Sequence, residues 1–202
     1  MREYLSRDKK MPRADPQVAI TRPVGHFGES VRQLADGPGF RKARSLRPTE
    51  VRVALTDPAL RVLTDFVWEH PLTVSRESTI DDALRQMIRT GVRALLVVQS
   101  EVVTGLITSS DIQGERPLQF LMASGFRRHD EIEVGHIMTR WDEVAKFDWQ
   151  TLGSARVSDL VAFFKSTAAT HLIVVERVDK GRPLVRGLIS RSRLERQLGL
   201  QG

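Results

Sequence analysis

Two side chains three positions apart, Thr108 and Asp111, close the stretch Gly105-Leu106-Ile107-Thr108-Ser109-Ser110-Asp111-Ile112. Leu106 and Ile107 read as the end of a buried strand. Asp111 then falls in the first turn of a helix. A hydroxyl and a carboxylate at this spacing can both face one ligand at a strand-to-helix junction. Backbone N–H groups there lack intrahelical partners and favour anions. The same residues have a structural use: Asp111 can cap the helix, and Thr108 can satisfy its neighbours at the strand end. The pattern returns near the C-terminus as Gly187-Leu188-Ile189-Ser190-Arg191-Ser192-Arg193-Leu194. Ser190 keeps the hydroxyl, but Arg193 stands where Asp111 stood. A guanidinium has no acceptor, so it cannot hold sugar hydroxyls as a carboxylate does. Arg191 and Arg193 read either as phosphate ligands or as solvated surface residues.

The elements that position these groups also repeat. Asp57-Pro58 is a helix start signal, with the aspartate as cap and the proline at the first helical position. A brief strand at Leu72-Thr73-Val74 follows. Thr79 then caps a helix with Asp82 three positions on. Ile80, Ala83, Leu84, Met87 and Ile88 recur at helical spacing as one apolar face, and Gly91 stops the helix. Residues 95–98 are apolar on both faces, as in a buried strand. Residues 102–108 form the next strand, and Pro117 interrupts the helix beyond it. From Val134 the order restarts, with a candidate strand over 143–147, a helix faced by Val157, Leu160, Val161 and Phe164, and strands over 172–175 and 184–190. Val157-Ser158-Asp159 answers Ile80-Asp81-Asp82 at the same offset that relates Val174-Val175 to Val97-Val98. The offset grows only across the second hairpin, through Arg177 to Arg186, which is longer than the first. A loop absorbed the difference, as expected when each copy is one structural unit.

Size and charge narrow the class. The 202 residues, 41% hydrophobic, suffice for one core or two small ones. The longest apolar runs, such as residues 94–98, are far too short to cross a bilayer. The N-terminus lacks a basic-then-apolar leader pattern, so the expectation is a cytoplasmic protein with no membrane partner. Cysteine is absent, which removes disulfide and thiol chemistry. The five histidines are scattered with no metal-ligand spacing, so no metal is expected. No nucleophile–base pair is legible, so the chain reads as a non-enzyme.

Residues 1–52 hold 12 Lys/Arg and 6 Asp/Glu, leaving 19 of each sign elsewhere out of totals of 31 and 25. The whole net charge of +6 therefore sits in this arm. It is rich in Arg, Pro and Gly, and Asp36-Gly37-Pro38-Gly39 breaks any regular element. The arm reads as solvated, or as a contact to nucleic acid, an acidic partner or anionic lipid. A short helix over 28–35 is its only regular segment. The arm is expected to be weakly ordered, or ordered only against a partner chain.

Two tandem units, each with a Leu-Thr or Met-Thr start (Leu63-Thr64, Met138-Thr139), an amphipathic helix, an apolar strand and a Gly-h-h-[Thr/Ser] end, resemble a pair of CBS domains, or Bateman module. Asp111 completes that end motif in the first copy, and Arg193 departs from it in the second. The resemblance spans about residues 57–198, divided as 57–126 and 131–198 after the arm of residues 1–52. It implies an α+β fold of two β-α-β-β-α units packed sheet to sheet with approximate two-fold symmetry, and a homodimer. It implies a non-catalytic regulatory module binding an adenosine-containing ligand, AMP, ADP, ATP or S-adenosylmethionine, between the copies. Asp111 would hold the ribose hydroxyls, and Thr108 ribose or phosphate. Thr73 and Ala94 would flank the base, Arg93 would reach a phosphate, and Ser190 would take the second hydroxyl position. Two rivals stand beside this reading: a protein-interaction scaffold with vestigial clefts, and a nucleic-acid-binding regulator using the arm. Trp68, Trp141 and Trp149 are read as core or dimer contacts, not stacking platforms.

Overall fold

The computed structural model describes residues 18–20, 52–100, 102–125, 128–178 and 182–199. Most of the basic arm, including the helix expected over 28–35, lies outside the described residues. The arm does contribute one strand, β1 (Val18–Ile20).

The first copy begins with β2 (Thr64–Asp65) and β3 (Thr73–Ser75). Helix α1 (Ile80–Thr90) is capped as the sequence predicts: the Asp82 N–H donates to Thr79 Oγ1 at 3.1 Å, and Gly91 ends it at φ 71°. Asp81 and Asp82 in its first turn suit the positive end of the helix dipole. Ile80, Ala83 and Met87 are buried, but Ile88 is 73% exposed. The apolar stripe read from the sequence is therefore wider than the face the core covers. Strands β4 (Ala94–Gln99) and β5 (Val102–Thr108) follow, then α2 (Ser109–Gln113) and α3 (Arg116–Ser124). Pro117 sits in the first turn of α3, where a missing N–H costs little.

The second copy repeats the order as α4 (Val134–Ile137), β6 (Thr139–Arg140), β7 (Lys146–Asp148), α5 (Trp149–Ser154), α6 (Val157–Ser166), β8 (His171–Val178), β9 (Arg182–Ser190) and α7 (Arg191–Leu198). The strand expected over 143–147 is shorter and shifted. The Asp57-Pro58 signal starts only a 3-10 turn, Ala59–Val62, with Pro58 at its cap. The Asp57 carboxylate instead accepts from the Ala54 N–H at 2.9 Å and from Arg61 at 2.8 Å. The chain cannot stay helical there because Thr64 must be extended to pair with β9.

The half-sheets match. β3 runs parallel to β4 and β4 antiparallel to β5; β7 runs parallel to β8 and β8 antiparallel to β9. The β4–β5 register shifts between Val97 and Val98, and the β8–β9 register between Val174 and Val175. These are the two valine pairs that the sequence repeat sets in correspondence. β1 lies between β5 (antiparallel) and β9 (parallel), so all the strands join one hydrogen-bonded sheet.

The short leading strands cross over. β2 pairs with β9, placing Thr64 opposite Leu188 and Asp65 opposite Gly187, while β6 pairs with β5, placing Thr139 opposite Leu106 and Arg140 opposite Gly105. Both glycines are required by close approach. A Cβ at Gly105 would lie 2.4 Å from the Thr139 carbonyl oxygen, and one at Gly187 would lie 2.4 Å from that of Thr64. The cores follow the crossing. Ile132, Val134, Ile137 and Met138 pack into the first copy's core. Val53, Ala59 and Val62 pack into the second's. A third apolar cluster, built on Phe66, Leu96, Leu106, Ile173 and Val185, joins residues of both half-sheets. The chain is an α+β protein of two tandem units packed as a pseudo-two-fold pair.

Candidate functional site

The two strand-to-helix junctions occupy equivalent places and use their side chains differently. At the first, Thr108 is the cap of α2, and the Asp111 N–H donates to its Oγ1 at 3.2 Å. Asp111 Oδ2 in return accepts from the Thr108 N–H at 2.8 Å and from Thr108 Oγ1 at 2.7 Å. This is a reciprocal capping box, with aspartate at the third helical position. Asp111 Oδ1 faces Arg116 Nη1 at 3.1 Å. Arg116 Nη1 also donates to the Ile137 carbonyl at 2.8 Å and to Thr139 Oγ1 at 3.2 Å. Both carboxylate oxygens thus have partners within the chain, and Thr108 is buried.

The second junction has no such box. Ser190 caps α7 in position only: its hydroxyl makes no cap bond and lies 3.1 Å from Ser192 Oγ. Arg193, at the third helical position, turns to the crossing strand and donates from Nη1 to Thr64 Oγ1 at 2.6 Å. Thr64 and Thr139 are equivalents on β2 and β6, so each copy sets a guanidinium on a threonine hydroxyl of the other's leading strand. At the first junction a carboxylate accompanies that guanidinium. At the second, among the described residues, Arg193 meets a neutral hydroxyl there. Arg191 pairs with Glu195 at 3.0 Å.

An open cleft of about 1010 Å³ runs between the copies at this second junction. Thr64 and Phe66 of β2 and Leu188 and Ser190 of β9 form one side. Leu72, Met87, Ile88, Arg93, Ala94 and Leu96 of the first copy form the other. Ser109 and Ser110, at the start of α2, also reach it, as do Arg193 and Arg196 of α7. The charged lining is three arginines, 93, 193 and 196, against one carboxylate, Glu69. His70 and His171 complete the titratable groups. Burial pushes His171 down to about 4, against the opposing pull of the Asp111 charge. Its ring is therefore neutral at pH 7, with Nδ1 3.0 Å from Thr170 Oγ1.

Of the residues singled out in the sequence, Arg93, Ala94 and Ser190 line this cleft, whereas Thr108, Asp111 and Thr73 do not. Thr73 lies on β3, where its carbonyl accepts from Gln86 Nε2 at 3.0 Å. Thr64, Phe66, His171 and Arg196 also line the cleft, although the sequence reading gave them no binding role. Thr64 was visible as half of the Leu-Thr start, and Arg196 as a cation one turn beyond Arg193. His171 matches Ala94 in the repeat. Trp68 is 84% exposed. Trp141 packs against the cluster shared by the half-sheets. Trp149 lies beneath Arg186, whose guanidinium sits 4.1 Å from the ring centroid. Among the described residues, no group of three or more His, Cys, Asp or Glu side chains could hold a metal ion, and no helix is long and apolar enough to cross a membrane.

A mirrored β-α-β-β-α pair with crossed leading strands and a cleft at the seam defines a tandem α+β module. The family model of the CBS domain matches residues 63–116, the first copy. A solved protein from Pyrococcus horikoshii, described as an uncharacterized conserved protein, shares this fold: it is 19% identical over 71% of this chain and 93% of its own, with a TM-score of 0.50. Similarity also extends to a putative signal-transduction protein with CBS domains from Burkholderia ambifaria, 26% identical over 65% of this chain and 85% of its own, TM-score 0.48. A third similar structure is the CBS domain of a bacterial CNNM/CorC family Mg2+ transporter in complex with ATP, 14% identical over 72% and 89%, TM-score 0.49. No match is found among the curated proteins. Residues 63–116 of the chain are a CBS domain by this match.

Proposed function

We propose that this protein is a regulatory module that binds an adenosine-containing ligand in the cleft at the second junction, and senses it without catalysing a reaction. The observation carrying this reading is the cleft itself: about 1010 Å³, with apolar walls from Phe66, Leu72, Leu96 and Leu188 and cations at Arg93 and Arg193. Its volume is at the upper end of small-molecule sites, and apolar walls with a few placed polar groups suit a planar base joined to an anionic end. Ala94 would flank the base, Ser190 would offer its hydroxyl to the sugar or phosphate, and Arg93 would meet the phosphate. Both copies contribute walls. A bound ligand would therefore favour one arrangement of the copies over another, and a partner or second protomer would read that difference.

Thr108 and Asp111 would serve a nucleotide at the first junction only after Arg116 leaves the carboxylate. The reading therefore places the primary ligand at the open side. Stabilisation by added AMP, ADP, ATP or S-adenosylmethionine in thermal melts tests it. The expected result is a rise in melting temperature with at least one of them, confirmed by calorimetric titration. If none shifts the melt at millimolar concentration, the sensor reading is wrong and the scaffold reading takes its place.

A further inference from the structure

We propose that the cleft selects a nucleoside carrying two or more phosphates over the sulfonium-bearing adenosyl ligand, with Arg193 and Arg93 setting that preference. The inference rests on the ligand-sensing reading above and narrows it to a chemical class.

Three features support it. The first is charge. Arg93, Arg193 and Arg196 outnumber Glu69 in the lining, and His171 is held neutral by burial, so the cleft is net positive at pH 7. A sulfonium with an ammonium nearby meets repulsion there, and each added phosphate gains attraction.

The second is the position of Arg193. A cation in the first turn of a helix opposes the helix dipole, and α7 carries one where its counterpart α2 carries Asp111. At the first junction the carboxylate closes a capping box; at the second, Ser190 makes no cap bond and the guanidinium reaches the neutral Thr64 hydroxyl at 2.6 Å. An anion on this side would meet both the helix terminus and Arg193, removing the conflict that the substitution creates.

The third is Arg93. Its carbonyl accepts from the Ser109 N–H at 2.9 Å, which fixes the backbone, while its side chain is exposed at the cleft. The cleft thus has one cation from each copy, Arg193 on α7 and Arg93 at the residue before β4, the arrangement needed to hold a chain of phosphates through charge-assisted bonds.

Calorimetric titration of the intact protein with AMP, ADP, ATP, S-adenosylmethionine and inorganic tripolyphosphate tests this. Affinity should rise with phosphate count, with ATP about tenfold or more tighter than AMP. S-adenosylmethionine should be weakest, and added salt should shrink the spread. Arg193→Gln and Arg93→Gln should each weaken ATP by about tenfold and reduce the ATP-to-AMP ratio to below about threefold. Among the described residues the hydrogen bond made at Arg93 is to its backbone carbonyl, which the substitution retains, so Arg93→Gln keeps the test decisive if Arg193→Gln melts early. S-adenosylmethionine binding as tightly as ATP, or an unchanged ATP-to-AMP ratio in both variants, overturns the inference and leaves the sensor reading intact. Tripolyphosphate binding that both variants lose, with no adenosyl ligand bound, overturns the nucleoside reading and upholds anion selection. If nothing binds, both fall.

Discussion

The two strand-to-helix junctions share a backbone and part company at the third helical position. Where the first has Asp111, the chain spends the carboxylate on its own helix terminus and on Arg116, and the site is filled from within. Where the second has Arg193, no box forms, the guanidinium turns outward to Thr64, and an open cleft remains. A duplicated frame can therefore keep its strands, bulges and crossing glycines while one junction is closed from within and the other opens onto a cleft. The motif closest to a family pattern is the more structural of the two here. The departure from the pattern marks the open side.

The sharpest challenge to this equivalence is steric. Gly105→Ala and Gly187→Ala each drive a Cβ to within 2.4 Å of a backbone oxygen on the opposite copy's leading strand. Each should cost about 3 kcal/mol in urea unfolding, and the two should be alike. A silent substitution at either glycine would break the two-fold correspondence.

Next is a feature present on one side only. Arg186 holds Asp65 with two bonds, at 2.9 and 3.0 Å, and Glu176 with a third at 2.9 Å. Its pKa is raised, first by the Asp65 hydrogen bond. Asp65 belongs to the first copy's leading strand and Arg186 to the second copy, so Arg186→Met leaves two half-buried carboxylates without their cation. A loss of about 2 kcal/mol is expected by chemical denaturation. The equivalent residue, Thr104, donates only to the Val97 carbonyl at 3.4 Å, and Thr104→Val should cost less than about 1 kcal/mol.

A smaller effect separates the junctions directly. Asp111→Ala removes the capping box and Arg116's partner and should destabilise by about 1 kcal/mol. Arg193→Ala loses a hydrogen bond to Thr64 but relieves a cation at a helix start. Thermal melts should place it within about 0.5 kcal/mol of the parent. Equal losses at both would mean that Arg193 is as structural as Asp111.

An effect of a different kind, confined to acid, is a pH dependence carried by His171, whose counterpart Ala94 cannot titrate. The folded ring has its pKa lowered to about 4, so between that value and its ordinary 6.5 the unfolded chain binds a proton that the folded chain does not. Stability from this group is complete above about pH 6.5 and is lost as pH falls towards 4. Melting curves across this range should fall less steeply with acid for His171→Gln than for the parent. Identical slopes would show that the ring is not held neutral.

Much of this was legible in the sequence. The Thr79 cap, the Gly91 stop, the extent of residues 102–108 and the two offsets of the repeat all rest on local chemistry or on comparing the chain with itself. The substitution of Arg193 for aspartate was equally plain. The crossing of Thr64 onto β9 and Thr139 onto β5 was not, because such short strands carry no periodicity and their partners lie far off in the chain. The same crossing sent Val53, Ala59 and Val62 into the second copy's core and cut short the helix expected after Asp57. Arg116 escaped notice because its partnership with Asp111 spans the interruption at Gly114 that separates α2 from α3. Ile88 shows the converse: helical spacing placed it on the apolar face, but no core element covers it, and it lines the cleft.

Hydrogen exchange with and without ATP locates the ligand without any substitution. The account predicts slowed exchange at the start of α7, residues 191–193, and at 93–94, with the capping box at 108–111 and the strand at 139–140 unchanged. Protection confined to 108–116 and 139–140, with the start of α7 unaffected, would place the ligand at the carboxylate junction and contradict the account.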